Sequence, residues 1–304
     1  MSLIEQALEK MRVQKQGTGA PAAAAPRVAA PLPAASAPAG DAGTPRIAPA
    51  APAAVHSLRV TIDKDKLLHE GVLSRQAQLH QQASEYRNIK RQLLQALRDG
   101  GTSIKDSDRI LMIASAIAGE GKTFTAINLA MSLARELDYS VLLIDADFAK
   151  PNTSRLLGVE AASGLLDAAR RDDIDPESLV VDTDIPGLSL LPAGSMVANA
   201  TEYLTSVRMH EILARLVSVP NRIILMDSPP LLMTTESAAL AQLAGRVLLV
   251  VRAESTPHRA VLDALDLLGD SVNVGLILNQ TTHAPLQGYY YGYNYYGTQG
   301  AVSE

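Results

Sequence analysis

Residues 109–123 read Arg-Ile-Leu-Met-Ile-Ala-Ser-Ala-Ile-Ala-Gly-Glu-Gly-Lys-Thr, and the order of properties along that run decides the fold. A short unbroken apolar stretch is the sequence signature of a strand covered on both faces, as in a parallel sheet. Glycines 119 and 121 let the backbone curl tightly, and from Thr123 to about residue 137 the pattern turns helical. Strand, glycine loop and helix start, in that order, make a cradle for phosphate, because backbone N–H groups turn inward and the helix N-terminus favours negative charge. The cradle is expected to comprise Ala118, Gly119, Glu120, Gly121, Lys122, Thr123 and Phe124, with Lys122 reaching the β- and γ-phosphates of ATP and Thr123 offering its hydroxyl to magnesium. Where the loop consensus begins with glycine, six residues before the lysine, this chain has Ala116.

Outward from the loop, further apolar runs at 140–145, 188–191, 223–227, 246–252 and 274–278 are separated mostly by helical patterns. That alternation predicts an α/β domain of the P-loop NTPase type, with one open, mostly parallel sheet and helices on both faces. A helical pattern from about 67 to 97 leads into it, with Glu85, Arg87, Lys90 and Arg91 interleaved among Ile89, Leu93, Leu94 and Leu97.

Two of the strands end in acids. Asp145 and Asp147 close the run at 141–147 two residues apart, so both project from one side of an extended backbone, and Asp227 closes the run at 223–227. Either strand taken singly is read as easily by a helix N-cap. Beside a phosphate loop, three acids at the carboxyl edge of a parallel sheet point to magnesium-nucleotide chemistry, since a divalent cation offsets their mutual repulsion. Asn279, at the end of the last strand, is a candidate for hydrogen bonding the adenine ring.

The chain's ending is the least random part of it. Six tyrosines, Tyr289, Tyr290, Tyr291, Tyr293, Tyr295 and Tyr296, occupy eight positions, and only three others occur elsewhere. Gly292 and Asn294 favour turns, and neighbouring side chains of a strand face opposite ways, so the string suits no core. It reads as a set of phosphoacceptors: each phosphate adds about −1.5 to −2 of charge to a tail whose only formal charge is Glu304. A low-complexity adhesive segment is the bland alternative.

Composition bounds the rest. Residues 1–16 carry Ile4, Leu8 and Met11 at helical spacing, 17–57 is an Ala/Pro-rich linker expected to be disordered, 58–282 is the nucleotide domain and 283–304 a flexible tail. A net charge of −5 over 304 residues gives no basic field for nucleic acid, and the absence of cysteine removes disulfides and thiolate metal sites together. The longest apolar run, 110–118, is about half the roughly 20 residues a spanning helix needs, and residues 1–15 contain no apolar signal region. The expected location is the cytoplasm.

These residues resemble a family, the cytoplasmic bacterial tyrosine autokinases of polysaccharide export, especially the exosortase-associated branch of exopolysaccharide loci. The resemblance covers about residues 84–296 and rests on Gly119-Glu120-Gly121-Lys122-Thr123, Asp145-Ala146-Asp147, Asp227-Ser228-Pro229-Pro230, the stretch from Leu191-Pro192-Ala193-Gly194 to Glu202-Tyr203-Leu204, and the terminal tyrosines. The opening Met1-Ser2-Leu3-Ile4-Glu5 also looks like that branch. It implies a protein-tyrosine kinase using ATP and magnesium to phosphorylate its own tail and so regulate exopolysaccharide export. Thr123, Asp147 and Asp227 would then support the metal, while Asp145 orients or deprotonates the incoming tyrosine hydroxyl. It further implies a homo-oligomer, a tyrosine phosphatase, and a membrane-embedded chain-length or co-polymerase partner that recruits the chain to the inner face of the membrane. The family's basic residue two places after the second aspartate is Ala149 here, with Lys150 beyond it; of the acid and two bases that support ring assembly, Arg87 and Lys90 match while Ser84 stands in the acid's place.

Two rival readings stand beside this one. A nucleotide-switch ATPase of the partitioning or division-site type shares the sheet and loop but usually carries a second lysine five residues before the first, where this chain has Ile117. A weakly active scaffold phosphorylated by another kinase is the other.

Overall fold

The computed structural model describes residues 58–281 apart from 75, 99–104, 198 and 271; the expected N-terminal helix and linker, and the tail with Tyr289, Tyr290, Tyr291, Tyr293, Tyr295 and Tyr296, lie outside the described residues. Eight strands form one sheet: β1 (Arg59–Val60), β2 (Ile110–Ser115), β3 (Ser140–Asp145), β4 (Val181–Thr183), β5 (Leu188–Leu191), β6 (Arg222–Asp227), β7 (Arg246–Arg252) and β8 (Val274–Asn279). Their spatial order is β1-β4-β5-β3-β6-β2-β7-β8. All neighbours are parallel except β4 and β5, so β5 through β8 of that order share one carboxyl edge and β1 and β4 run against them.

The alternation of strand side chains sorts the core into two layers. Met112, Ala114, Leu142, Ile144, Ile224, Met226, Val247 and Leu249 face one way, while Leu111, Ile113, Val141, Leu143, Ile223, Leu225, Leu248 and Val250 face the other. On the first face lie α5 (Leu165–Arg170), α6 (Ala200–Leu204), α7 (Val207–Val217), α8 (Thr235–Leu243) and α9 (His258–Leu268). On the second lie α1 (Lys64–His69), α2 (Gln76–Arg98) and α3 (Lys122–Leu133), with Leu156 of α4 (Asn152–Leu156) in the same layer. The helix at α7 shows why these segments coil: Ser206 caps it by accepting from Met209 N at 3.2 Å, and Met209, Ile212, Leu213 and Leu216 bury one stripe at i, i+3, i+4, i+7 spacing.

The six parallel strands are those expected from the apolar runs, to within a residue. Three features differ. The edge pair β1 and β4 was not foreseen, because two- and three-residue strands carry no periodicity to detect. The single helix expected over 67–97 is two helices: Gly71 takes φ +72°, open only cheaply to glycine, and the N–H groups of Val72 and Leu73 both turn back onto Leu67 O, at 2.8 and 3.1 Å. The helix after the phosphate loop also stops at Leu133 rather than near residue 137.

That break lets α2 fold down onto α3 through a buried polar network. Gln82 Nε2 donates to Asn128 Oδ1 at 3.0 Å, and Asn128 Nδ2 donates to the carbonyls of Val72 at 2.9 Å and Phe124 at 2.8 Å. Tyr86, whose phenol burial pushes up to about 12, lies beside Phe124 with ring centroids 6.2 Å apart. Lys90 is committed within the chain, paired with Glu136 at 2.5 Å and donating to Ser132 O at 3.3 Å, whereas Arg87 is exposed. No helix among the described residues is long and apolar enough to cross a membrane.

Asn128→Ala leaves the Gln82 Nε2 donor and the Val72 carbonyl without the partners they have here. Each orphaned group costs about 1–3 kcal/mol, so urea unfolding is expected to show a loss of roughly 3 kcal/mol with an unchanged m-value.

Candidate functional site

Three adjacent strand ends build the site, and the sheet order makes them adjacent: β3, β6 and β2 lie side by side although their sequences are far apart. The loop after β2 turns through Gly119 at φ +84° and Gly121 at φ +95°, and α3 then begins at Lys122. A Cβ on Gly121 would stand 2.1 Å from Asn279 Nδ2, so this glycine is required by close approach as well as by its dihedral.

Glu120 is the unexpected member of the loop. The residue is 1% exposed and its carboxylate is bound within the protein. Oε2 accepts from Ile117 N at 2.8 Å, and Oε1 accepts a short hydrogen bond from the Thr256 hydroxyl. Asn279 Nδ2 donates to the Glu120 carbonyl at 2.9 Å. An acid inside an anion-binding loop is thereby tolerated, because its charge is spent on the loop's own backbone and on the β7–α9 connection. The contact that Asn279 makes here is with the loop itself.

The acids sit beside the loop in fixed register. Asp145 and Asp227 are directly paired residues of β3 and β6, and both are 1% exposed. Asp145 Oδ2 accepts from Ser154 N at 2.7 Å and from its hydroxyl at 2.8 Å, and Oδ1 accepts from Asp147 N at 3.2 Å. Burial, and then the neighbouring Asp227, push its carboxyl up to about 7. Asp227 Oδ2 accepts from the Thr153 hydroxyl at 2.7 Å, while its Oδ1 is buried with no hydrogen-bond partner. Burial raises that carboxyl to about 6, against the Thr153 hydrogen bond, the neighbouring Thr123 hydroxyl and the attraction of Lys122. Asp147 is half-buried at the rim, accepts from Lys150 N at 3.1 Å and is raised chiefly by burial, with Lys150 among the charges that oppose the rise. The basic residue displaced to position 150 thus still acts on Asp147. The Lys122 ammonium is 8% exposed and pushed down by burial, with Asp227, Asp147 and Glu120 pulling it back.

The structure therefore brings Lys122, Thr123, Asp147 and Asp227 around one point, with Asp145 just behind. Asp145 faces α4 with both oxygens occupied, an arrangement that ties the 146–154 connection down and is poorly placed to meet an incoming hydroxyl. Thr153, Ser154 and Thr256 were missed by sequence reasoning; each is a short hydroxyl near a proline, a pattern that reads as helix capping until the tertiary partner is known. Among the described residues no group of three or more His, Cys, Asp or Glu side chains could hold a metal by itself. Residues of this kind do fit magnesium arriving with nucleotide: an orphaned buried carboxylate oxygen on Asp227, a nearby hydroxyl and a rim acid supply a few hard ligands and leave the remaining positions to phosphate and water.

The chain is similar in sequence and fold to proteins already known. An AAA domain family matches residues 108–270. The chain is 32% identical over 191 residues to a protein described as a putative tyrosine-protein kinase AmsA of Erwinia amylovora, which covers 60% of this chain and 25% of that protein. It is 32% identical over 215 residues to the tyrosine-protein kinase wzc of Salmonella typhimurium, covering 68% of this chain and 29% of that protein. The chain thus spans between a quarter and a third of the length of these relatives. Among solved structures, the BceF tyrosine kinase domain superposes with a TM-score of 0.56 at 29% identity, over 64% of this chain and 76% of that one.

The raised carboxyls give a sign-definite prediction. Because Asp145 and Asp227 hold protons more tightly folded than their ordinary value of 3.8 allows unfolded, their contribution to stability is full below about pH 4 and is lost as pH rises through about 6 to 7. Asp227→Asn keeps an acceptor for Thr153 and removes the buried charge, so the nucleotide-free variant is expected to be roughly 2 kcal/mol more stable than the parent at pH 8 and nearly equal at pH 4.5, by thermal unfolding. Thr256→Val strips Glu120 Oε1 of its donor and is expected to cost about 2 kcal/mol in the same assay.

Proposed function

This chain belongs to the AAA domain family, and from that premise we propose that it is an ATP-dependent protein-tyrosine kinase whose acceptors are the tyrosines of its own C-terminal tail. The observation that carries the reading is where β8 ends. Asn279 closes on the carbonyl of Glu120, so the strand that leads into the tyrosine string finishes against the phosphate loop. A nucleotide switch has no need of six tyrosines rooted there, and similarity to proteins described as tyrosine-protein kinases supports the same conclusion.

In this reading residues 58–282 form the kinase domain, preceded by the 1–16 helix and the 17–57 linker and followed by the tail of 283–304. The backbone of residues 118–124 and the Lys122 ammonium bind the β- and γ-phosphates, and Lys122 is drawn toward them by exchanging buried carboxylates for phosphate oxygens. Thr123, Asp147 and Asp227 hold magnesium, which when bound supplies charge neutralisation on the phosphates. Asp145 acts as a positioning residue: through Ser154 and the Asp147 N–H it fixes the rim acid. Asn279 keeps the loop closed on the side where the base is expected. The tyrosine oxygen bonds to the γ-phosphorus as the bond to the bridging oxygen of ADP breaks, and the hydroxyl proton passes to solvent. A loose transition state asks mainly for alignment and charge stabilisation, which suits a site without a free base.

Regulation of exopolysaccharide synthesis and export follows from the same proposal. So do recruitment to the inner face of the membrane by a membrane-embedded co-polymerase partner, self-association, and reversal by a tyrosine phosphatase. Incubating the purified chain with labelled ATP and magnesium beside Lys122→Ala tests the core of it. Label is expected within residues 289–296 of the wild type and reduced at least about a hundredfold in the variant. Hydrolysis without label on the tail would instead establish a nucleotide switch, and neither activity would leave the scaffold reading.

A further inference from the structure

The segment that follows Asp227 is held fast. Leu231 N donates to Ser115 O at 2.8 Å and Leu232 N to Ala116 O at 3.1 Å, so the backbone runs along the first residues of the phosphate loop. Met233 N closes a turn on Pro230 O at 3.2 Å, and the buried Ser237 hydroxyl donates to Thr234 O at 2.9 Å. On this fixed frame Leu231 is buried, yet the next two side chains face solvent, Leu232 at 39% and Met233 at 63% exposure. Large apolar groups presented rigidly beside a reaction centre mark a contact surface rather than a loop's incidental disorder.

We propose that Leu232 and Met233 are the platform on which an acceptor tyrosine ring of the tail, residues 289–296, rests while its hydroxyl meets the phosphate; this deepens the kinase reading and rests on it. The occupant is identified by reach and by chemistry. Asn279 touches the loop at Glu120 and Leu232 touches it at Ala116, four residues apart, so the two flanks are separated by at most about 14 Å of loop plus two hydrogen-bond lengths. From Thr281, the last described residue, to Tyr289 there are eight residues, which extend to about 27 Å and span that gap with length to spare. The tail carries one formal charge in 22 residues and six aromatic rings, the composition an uncharged apolar platform accepts. A methionine suits several different tyrosines, because its unbranched thioether adapts to the ring and makes favourable contacts at the ring edge.

The platform also discriminates substrate from product. Glu236 stands three residues beyond Met233, in the first turn of α8. A phosphotyrosine, carrying about −1.5 to −2 of charge, would lose hydration against this apolar surface and be repelled by Glu236, costs that the unmodified ring does not bear. The modified ring is therefore expelled and the next tyrosine takes its place.

The test uses the full chain with all six tail tyrosines changed to serine, which vacates the platform, and a fluorescent peptide of residues 286–299 followed by anisotropy. Leu232→Ser and Met233→Ser are each expected to weaken peptide binding about tenfold while nucleotide affinity changes less than about twofold, and Met233→Leu to retain binding. A peptide phosphorylated on its tyrosines is expected to bind the unaltered platform about tenfold more weakly than the unmodified one. Equal affinities across the variants, or no peptide binding by the parent, overturn the proposal. So does self-association that the two serine variants abolish while peptide affinity stays the same. Persistence of these binding differences in a protein that transfers no phosphate to its tail would sink the kinase reading alone.

Discussion

Two carboxylates, Asp145 and Asp227, are forced side by side by the register of neighbouring parallel strands, and both are buried. Such a pair is unfavourable in a low-dielectric interior, and the surroundings are organised to make it bearable. Ser154 and Thr153 donate to it, the Asp147 N–H donates to it, and the buried Lys122 ammonium attracts Asp227. One oxygen, Asp227 Oδ1, is left without a partner. The residual imbalance is a standing preference for positive charge at this point. Stability and ligand affinity are opposed at these residues by construction.

The same logic explains the loop. A phosphate cradle must present N–H groups inward, which is an intrinsically repulsive arrangement of like dipoles when nothing is bound. Glu120 offsets it from behind, accepting from Ile117 N, and is itself held by Thr256. The ends of β2 and β7 are thereby stapled through one buried side chain, and the end of β8 is tied to the backbone carbonyl of the same residue. A loop fixed in this way has little ordering entropy left to lose when phosphate arrives.

How much of this was legible in the sequence depended on whether a feature was local. The parallel strands were visible because each is an apolar run buried on both faces, and Lys122, Thr123, Asp145, Asp147 and Asp227 were visible because strand ends and glycine loops have local signatures. The short pair β1 and β4 was invisible, since pairing rather than periodicity makes them strands. Gly71 lay inside an otherwise helical pattern, where one glycine is tolerated as often as it breaks the helix, and only the return of Val72 and Leu73 onto Leu67 O decides the matter. Thr153, Ser154 and Thr256 were illegible for a further reason. A hydroxyl's role is set by whichever acid folding brings to it, and the partners of Thr153 and Thr256 lie 74 and 136 residues away.

Chain order then does what no single residue does. The strand carrying the loop is central in the sheet, flanked by β6 with its acid on one side and by β7 on the other, and β8 is the edge strand that follows β7. An edge position is the natural exit for a chain leaving a parallel sheet, and in a parallel sheet every strand leaves at the carboxyl edge where the site also lies. The residues that follow β8 therefore start from the carboxyl edge, on the side of the sheet that carries the phosphate loop. β1 lies at the other edge of the sheet, beyond β4 and β5. The two edge strands thus differ as a consequence of strand order: β8 runs with the loop strand toward the carboxyl edge, and β1 runs against it.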